Sequence, residues 1–309
     1  MRTRLIFNPT SNQGLSASFL PVVEQSIAGS TEMELSITRE HGHAIILAQN
    51  AAEAGFERVI ALGGDGTTHE VVNGLMQIPE MLRPELGIVP LGSGNDFSFA
   101  GGLHGTAEDL LALAQSSPSR SVDIGVVEDD LGRKEYWVNS LGIGFDALIN
   151  IYSREIRWFK GFWVYLIAAL RAILFNYTSF HFEARKDGLE WQETLLMLII
   201  ANGVREGGKF MIAPDGSLND NTLSYSAVQL ISRPNMLRAL TAYMKGRQND
   251  LPFVRSGSFN SLDLQSDAPL IIHTDGEIFA GLDSKVTRLK VSSVPAAIRL
   301  VCRSSETHA

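Results

Sequence analysis

The sequence predicts an α/β N-terminal domain built on a parallel sheet, followed by a C-terminal β-sandwich domain. Three observations predict it. Strand-like and helix-like segments alternate up to Asp123, two glycine-rich turns close strands within that stretch, and beyond Asp123 the rhythm changes to short strands separated by turn signals. A βαβα rhythm implies a parallel sheet with helices on both faces. Regularly spaced short strands imply a sandwich. With 309 residues, 45% of them apolar, the chain has material for two cores.

The elements follow in order. Arg4 to Phe7 reads as a strand, cut off by Asn8-Pro9. Leu15 to Ile27 reads as a helix, Glu34 to Thr38 as a strand, and Ala44 to Ala54 as a helix closed by Gly55. Arg58 to Leu62 is a strand, Thr67 to Met76 a helix, Leu86 to Pro90 a strand and Ala107 to Ala114 a helix. The domain boundary falls near Leu131-Gly132-Arg133, giving domains 1–130 and 131–285 and a final segment 286–309. Strands are expected at Tyr136–Ser140, Ser179–Ala184, Leu195–Ala201, Thr222–Val228, Leu262–Gln265, Leu270–Thr274, Arg288–Val291 and Ala297–Cys302. Helices are expected at Lys160–Leu174 and Arg233–Lys245, and a frayed tail at Ser304 to Ala309.

Composition excludes some functions. A net charge of −8 and a pI near 5.4 argue against nucleic acid as a partner. The single cysteine, Cys302, excludes an internal disulfide and fits a reducing compartment. The start Met1-Arg2-Thr3-Arg4 leads into a strand rather than a signal-peptide core. The longest apolar stretch, Phe162 to Phe175, is interrupted by Arg171 and falls short of the about 20 residues a bilayer span needs. The protein is therefore expected in the cytoplasm. The sequon Asn176-Tyr177-Thr178 reads as chance. The Phe162–Phe175 stretch, preceded by Arg157, Trp158 and Lys160, reads either as core or as a surface that meets a membrane.

The most informative motif is Gly63-Gly64-Asp65-Gly66-Thr67, between an apolar strand and a helix. Glycines at such a turn let backbone N–H groups approach an anion closely. A carboxylate inside the turn repels phosphate unless a divalent cation lies between them, so the motif suggests a metal-bound nucleoside triphosphate. Thr67 can bond phosphate or cap the helix, and Glu70 and Asn73 share a helix face. The bland alternative is a plain βα connection. Leu91-Gly92-Ser93-Gly94-Asn95-Asp96-Phe97 is a second phosphate-suited turn. Asn95 and Asp96 can bond a hydroxyl or hydrated metal, or form an Asx turn capping the next helix.

Further on, Gly203 to Lys209 approaches a P-loop, but Phe210 stands where Ser or Thr is required and Pro214 blocks a following helix. Asp220 and nearby carbonyls are suited to an oxygen-ligated cation, or form an ordinary loop. In His273-Thr274-Asp275-Gly276-Glu277 a carboxylate at a strand end is a candidate general base, with a hairpin turn as the alternative. Gly142 to Ala147 matches GxGxxA outside a βαβ unit, and His41 and His43 show no zinc pattern.

The ordered set resembles the diacylglycerol kinase catalytic-domain family, specifically its bacterial soluble lipid kinases. The motifs are Asn8-Pro9, the Gly63–Thr67 turn with Glu70, the Leu91–Phe97 turn, Asp123-Ile124-Gly125, Asn202-Gly203, Ala213-Pro214, Asn219-Asp220 and Asp275-Gly276-Glu277. The resemblance covers nearly the whole chain and implies the NAD kinase-like fold, with ATP in a cleft between the domains and a last segment that can return to the first domain. It implies ATP contacts at Asn8, Thr38, Gly63, Gly64, Asp65, Gly66, Thr67, Thr68, His69, Glu70, Gly92, Ser93 and Asn95. Asp65, Asp96 and Asp123 match aspartates that organise Mg²⁺, and Glu277 matches the proton acceptor. Ser217 and Thr222, through carbonyls, and Asp220 match a second, structural site for Mg²⁺ or Ca²⁺. Asn221 and Thr222 depart from the usual glycine-hydrophobic pair there.

The implied activity is Mg²⁺-dependent phosphoryl transfer from ATP to the hydroxyl of a diacylglycerol-like or sphingoid lipid. The implied setting is the cytoplasmic face of a membrane, with peripheral attachment, and a homodimer is admitted. On this reading Asp65→Ala abolishes turnover without unfolding the protein. The rivals are a kinase of NAD or another soluble metabolite, and a non-catalytic regulator that binds nucleotide or lipid. The second glycine turn and the apolar segment disfavour the first. The four acidic residues disfavour the second.

Overall fold

The computed structural model describes residues 1–156, 159, 162–176 and 178–303. Arg157, Trp158 and Lys160, Tyr177 of the sequon and the tail from Ser304 lie outside the described residues. The chain divides into two units, Met1–Asp123 with the stretch from Pro295, and Ile124–Val294.

The first unit runs β1 (Thr3–Phe7), α1 (Leu20–Ile27), β2 (Met33–Ile37), α2 (His43–Glu53), β3 (Arg58–Gly63), α3 (Asp65–Leu75), β4 (Glu85–Pro90), α4 (Asp96–Ala100), α5 (Ala107–Ser116) and β5 (Ser119–Asp129), whose last residues pass into the second unit. Its strands are parallel in the order β2-β1-β3-β4, and Leu300 from the end of the chain pairs parallel with Leu86 of β4. The central strand β3 is buried throughout. Leu5, Phe7, Ile60, Leu62 and Val89 form one core with Val23 of α1 and Leu111 of α5. The buried Arg58 is neutralised by Glu85 at 2.6 Å and donates further bonds to the Ala114 and Ser117 carbonyls. Burial pushes the Glu85 carboxyl up, but bonds from Arg58 and Ser119 outweigh it and hold it below its ordinary value.

Local chemistry shifts two boundaries and adds one short helix. The expected helix from Leu15 begins as a 3-10 stretch, Ser11–Phe19, with Asn12, Gln13 and Gly14 at positive φ. Regular α-helix starts only where Pro21 presets its first turn. Helix α3 begins at Asp65, so the carboxylate lies in its first turn, where the helix dipole favours it. The five-residue α4 is too short to show a periodicity.

The second unit continues with β6 (Lys134–Trp137), β7 (Ser140–Gly144), α6 (Phe145–Glu155), α7 (Phe162–Phe175), β8 (Phe180–Lys186), β9 (Leu189–Ala201), β10 (Leu223–Gln229), α8 (Arg233–Met244), β11 (Val254–Phe259), β12 (Ser261–Ser266), β13 (Ile272–Thr274), β14 (Glu277–Ala280) and β15 (Arg288–Val301). Its strands are antiparallel neighbours in the order β14-β13-β7-β9-β8-β12-β15, and β10 and β11 extend from the other edge of β9. One core gathers Trp137, Phe182, Phe259 and Leu264. A second joins Leu196 and Ile199 of β9 to Leu148 of α6, Ile173 of α7 and Met236 of α8.

Several of these elements differ from expectation. The strand expected at Tyr136–Ser140 is two strands, β6 and β7. Helix α6 falls on the GxGxxA match, where Gly144 at φ 78° turns the chain from strand into helix. The strands expected either side of Pro295 are one, because β15 pairs with β12 before the proline and with β4 after it. Pro295 therefore sits beyond the residues paired with β12 and before the one paired with β4.

Candidate active site

The two glycine turns of the first unit touch each other. A Cβ on Gly92 would lie 2.5 Å from the Gly64 Cα, and one on Gly64 would lie 3.2 Å from the Gly92 Cα. A Cβ on Gly63 would overlap the Thr67 hydroxyl at 2.3 Å. These glycines are thus required by the protein's own packing as well as by any ligand. Thr67 Oγ1 accepts a bond from Asn8 Nδ2 at 2.9 Å, tying the end of β1 to α3. Ser11, which no sequence argument singled out, accepts the Gly64 N–H at 3.2 Å.

Asp65 holds the second turn in shape. Its carboxylate accepts the backbone N–H of Asn95 at 2.7 Å and of Asp96 at 2.8 Å. Asn95, at φ 54°, closes the turn by bonding both backbone groups of Gly92 through its side-chain amide at 3.0 Å. Asp96 is buried and begins α4. A Cβ on Gly94 would meet Asp65 Oδ2 at 2.8 Å and Asp96 Oδ2 at 3.2 Å. Two carboxylate oxygens therefore flank a space that only glycine leaves open, and Ser93 stands exposed beside it.

Asp123, on β5, is buried and accepts the Ala296 N–H at 2.8 Å, anchoring the returning strand β15 within this unit. Thr38 is buried just past β2 and donates its N–H to the Phe7 carbonyl. Thr68 and His69 are buried on α3, and His69 meets Asn73. The Glu70 side chain is only 12% exposed. Its carboxylate accepts the N–H groups of Gly42 and Ala44 at 2.8 and 3.0 Å, at the start of α2.

In the second unit Asp275 is committed to the backbone, accepting N–H bonds from Val138, Asn139 and Ser140 at 2.9, 2.7 and 3.1 Å. It stands at φ 49° and turns the β13–β14 hairpin, which presents Glu277. Glu277 pairs with Arg154 of α6 at 2.6 Å, and Arg154 also bonds the Gly276 carbonyl. Asp220 accepts both the N–H and the hydroxyl of Thr222 at 3.0 Å, and the Ser217 hydroxyl donates to Asn219 at 2.8 Å. Asp220 and Thr222 share a polar depression with Asp215 and Ser224.

Two features of this unit were not legible in the sequence. The first is an apolar cavity of about 80 Å³, lined by Phe145, Ile149, Tyr165, Ile173, Met236 and Leu240 among others. The second is a cluster of Asp146, Glu206 and His273, in which the fully buried imidazole Nε2 lies 2.9 Å from Asp146 and 3.3 Å from Glu206. Burial by itself lowers the His273 pKa, but Glu206, Asp146 and Asp275 outweigh it and raise it to about 9.

A parallel-sheet unit with paired glycine turns, one of them opening a helix, is suited to receiving a phosphate group. Residues 2–127 match the diacylglycerol kinase catalytic domain. Residues 139–302 match the YegS C-terminal NAD kinase beta sandwich-like domain, in agreement with the predicted sandwich. The chain is 33% identical over 281 residues to the "Probable lipid kinase YegS-like" of Chromohalobacter salexigens, covering 89% of this chain and 86% of that one. It is 28% identical over 302 residues to the "Probable lipid kinase YegS" of Salmonella typhimurium, covering 97% and 94%. A diacylglycerol kinase structure from Bacillus anthracis superposes with a TM-score of 0.69 at 20% identity, covering 98% of this chain and 97% of that one. The chain belongs to the diacylglycerol kinase catalytic-domain family, and it is an enzyme of the kinase class.

Proposed function

We propose that the protein transfers the γ-phosphoryl group of ATP to a hydroxyl of a diacylglycerol-like or sphingoid lipid at a membrane surface. One observation carries the choice of a lipid over a soluble metabolite. The apolar cavity has Asp146 and Asn150 among its lining, and these share a face of α6 with Arg154, one turn apart each time. That face holds the hairpin of the candidate base. Asp146 bonds His273, Asn150 lies beside Gly276, and Arg154 pairs with Glu277. An apolar chain in the cavity therefore has its polar end beside Glu277.

Helix α7 supports the membrane setting. Its buried face carries Ala168, Ala169, Ala172 and Ile173. Its larger apolar residues Trp163, Leu174 and Phe175 are 59%, 62% and 76% exposed. A helix with bulky apolar groups outward is suited to resting in a bilayer surface. No helix among the described residues is long and apolar enough to cross one.

In this reading the glycine turns and the first-turn amides of α3 receive the phosphates. The oxygens that Asp65 and Asp96 direct at Gly94 are the hard donors Mg²⁺ favours, and with Asp123 they would hold it. Bound there, the ion supplies positive charge against the β- and γ-phosphates. The loop at Ser217, Asp220 and Thr222 offers oxygen donors of the same kind for Mg²⁺ or Ca²⁺. Glu277, oriented by Arg154, takes the proton of the attacking hydroxyl.

The test incubates a total lipid extract with enzyme, radiolabelled ATP and Mg²⁺, with NAD as a parallel acceptor. A labelled lipid is expected, and in Glu277→Gln its formation should fall about 10²- to 10⁴-fold with ATP affinity retained. Label on NAD alone, or ATP binding without any labelled lipid, refutes the proposal.

A further inference from the structure

In the phosphoryl transfer just described Asp146 and His273 help hold the hairpin of the base, but the Asp146–Glu206–His273 cluster carries no chemical step. Its three ligand atoms lie within 4.8 Å of one another. They come from three separate places: the first turn of α6, the short bridge between Glu206 and Phe210, and β13. The fold makes room for them at a cost in side-chain volume. A Cβ on Gly142 of β7 would fall 2.0 Å from Asp146 Oδ2 and 2.3 Å from His273 Nε2.

The geometry differs from that of an ordinary ion pair. Two carboxylate oxygens converge on one ring nitrogen, at 2.9 and 3.3 Å. A single N–H points along only one line, so it serves Asp146 at 2.9 Å better than Glu206 at 3.3 Å. A cation with bonds of about 2.1 Å needs ligand–ligand edges of about 3.0 Å in octahedral and about 3.4 Å in tetrahedral geometry. The two edges to Nε2, 2.9 and 3.3 Å, lie within the range that such ligand sets span.

We propose that Asp146, Glu206 and His273 form a binding site for one divalent transition-metal ion, distinct from the Mg²⁺ expected at the glycine turns. The mixed nitrogen and carboxylate donor set selects Zn²⁺, Mn²⁺ or Co²⁺ over Mg²⁺ and Ca²⁺, which take oxygen ligands. The ion replaces the Nε2 proton and ties α6 to β13. Because both carboxylates also line the cavity, a ligand's polar end in the cavity has access to it.

The test titrates full-length protein, freed of metal by chelation, with Co²⁺ and separately with Zn²⁺, in excess Mg²⁺. Calorimetry reads stoichiometry, and visible absorption reads nitrogen ligation of Co²⁺. One ion per chain is expected. Glu206→Gln and His273→Gln should each weaken binding by at least about tenfold, and His273→Gln should change the Co²⁺ spectrum. Thermal unfolding checks that both variants fold, and Glu206→Gln, on a half-buried loop, remains informative if His273→Gln does not. Absence of tight uptake, or uptake that the folded variants leave unchanged, overturns the proposal. Neither readout depends on lipid phosphorylation, so the site stands or falls separately from the kinase reading.

Discussion

Asp65→Asn separates the structural and chemical duties of one carboxylate. Asp65 accepts the N–H groups of Asn95 and Asp96 at 2.7 and 2.8 Å, so it holds the second glycine turn before any nucleotide binds. Asparagine retains one acceptor and turns an NH₂ group toward the other N–H. One charge-assisted bond of about 1.5–3 kcal/mol is lost, and a donor is left facing a donor. The favourable placement of negative charge in the first turn of α3 goes too, about 0.3–1 kcal/mol. The sum is about 2–4 kcal/mol, or about 4–16 °C in melting temperature for a unit of this size. The variant should therefore melt early with no ligand present, as well as lose turnover. The assay is a thermal scan in chelator, beside a lipid phosphorylation assay. An unchanged melting temperature would refute the structural role and restore the simpler expectation that Asp65 serves the cation alone.

Gly92→Ala places a methyl group 2.5 Å from the Gly64 Cα and 2.9 Å from Asn95 Oδ1, so it should destabilise by about 1–3 kcal/mol and weaken ATP binding, both measurable by denaturation and calorimetry. Glu85→Gln leaves the buried Arg58 uncompensated and should cost about 3–5 kcal/mol at pH 7. Because the folded-state pKa of Glu85 is lowered, its contribution is present above the ordinary 4.5 and is lost as pH falls through the folded value; urea titrations between pH 3 and 7 should show a shallower acid loss in the variant. Leu174→Asp with Phe175→Asp, on the exposed end of α7, should abolish sedimentation with phospholipid vesicles while leaving the melting temperature within about 2 °C.

Much of the first unit was legible because its signals are local. The strands β1, β3 and β4 are short apolar runs ended by Asn8-Pro9 or by glycine turns, and α2 ends at Gly55, which takes φ 74°. The helix expected from Leu15 is helical but opens as 3-10 turns up to Phe19, a difference that apolar spacing does not show. In the second unit β11 and β14 are short and mixed in polarity, so their pairing with β10 and β13 had no local signature. Within the Asp-Gly-Glu motif, only the fold showed that Asp275 serves the backbone while Glu277 is held by Arg154.

By itself the sequence determined the alternation of elements, both anion-suited turns, the acidic residues beside them and the family. These depend on residue type and on spacing along the chain. Only the tertiary structure decided that Gly64 and Gly92 need each other's missing side chains, that Asp65 fastens a turn 30 residues away, and that Asp146 and His273 meet across 127 residues. Contacts of that kind arise where the backbone brings distant segments together, and a linear pattern carries no record of which ones meet.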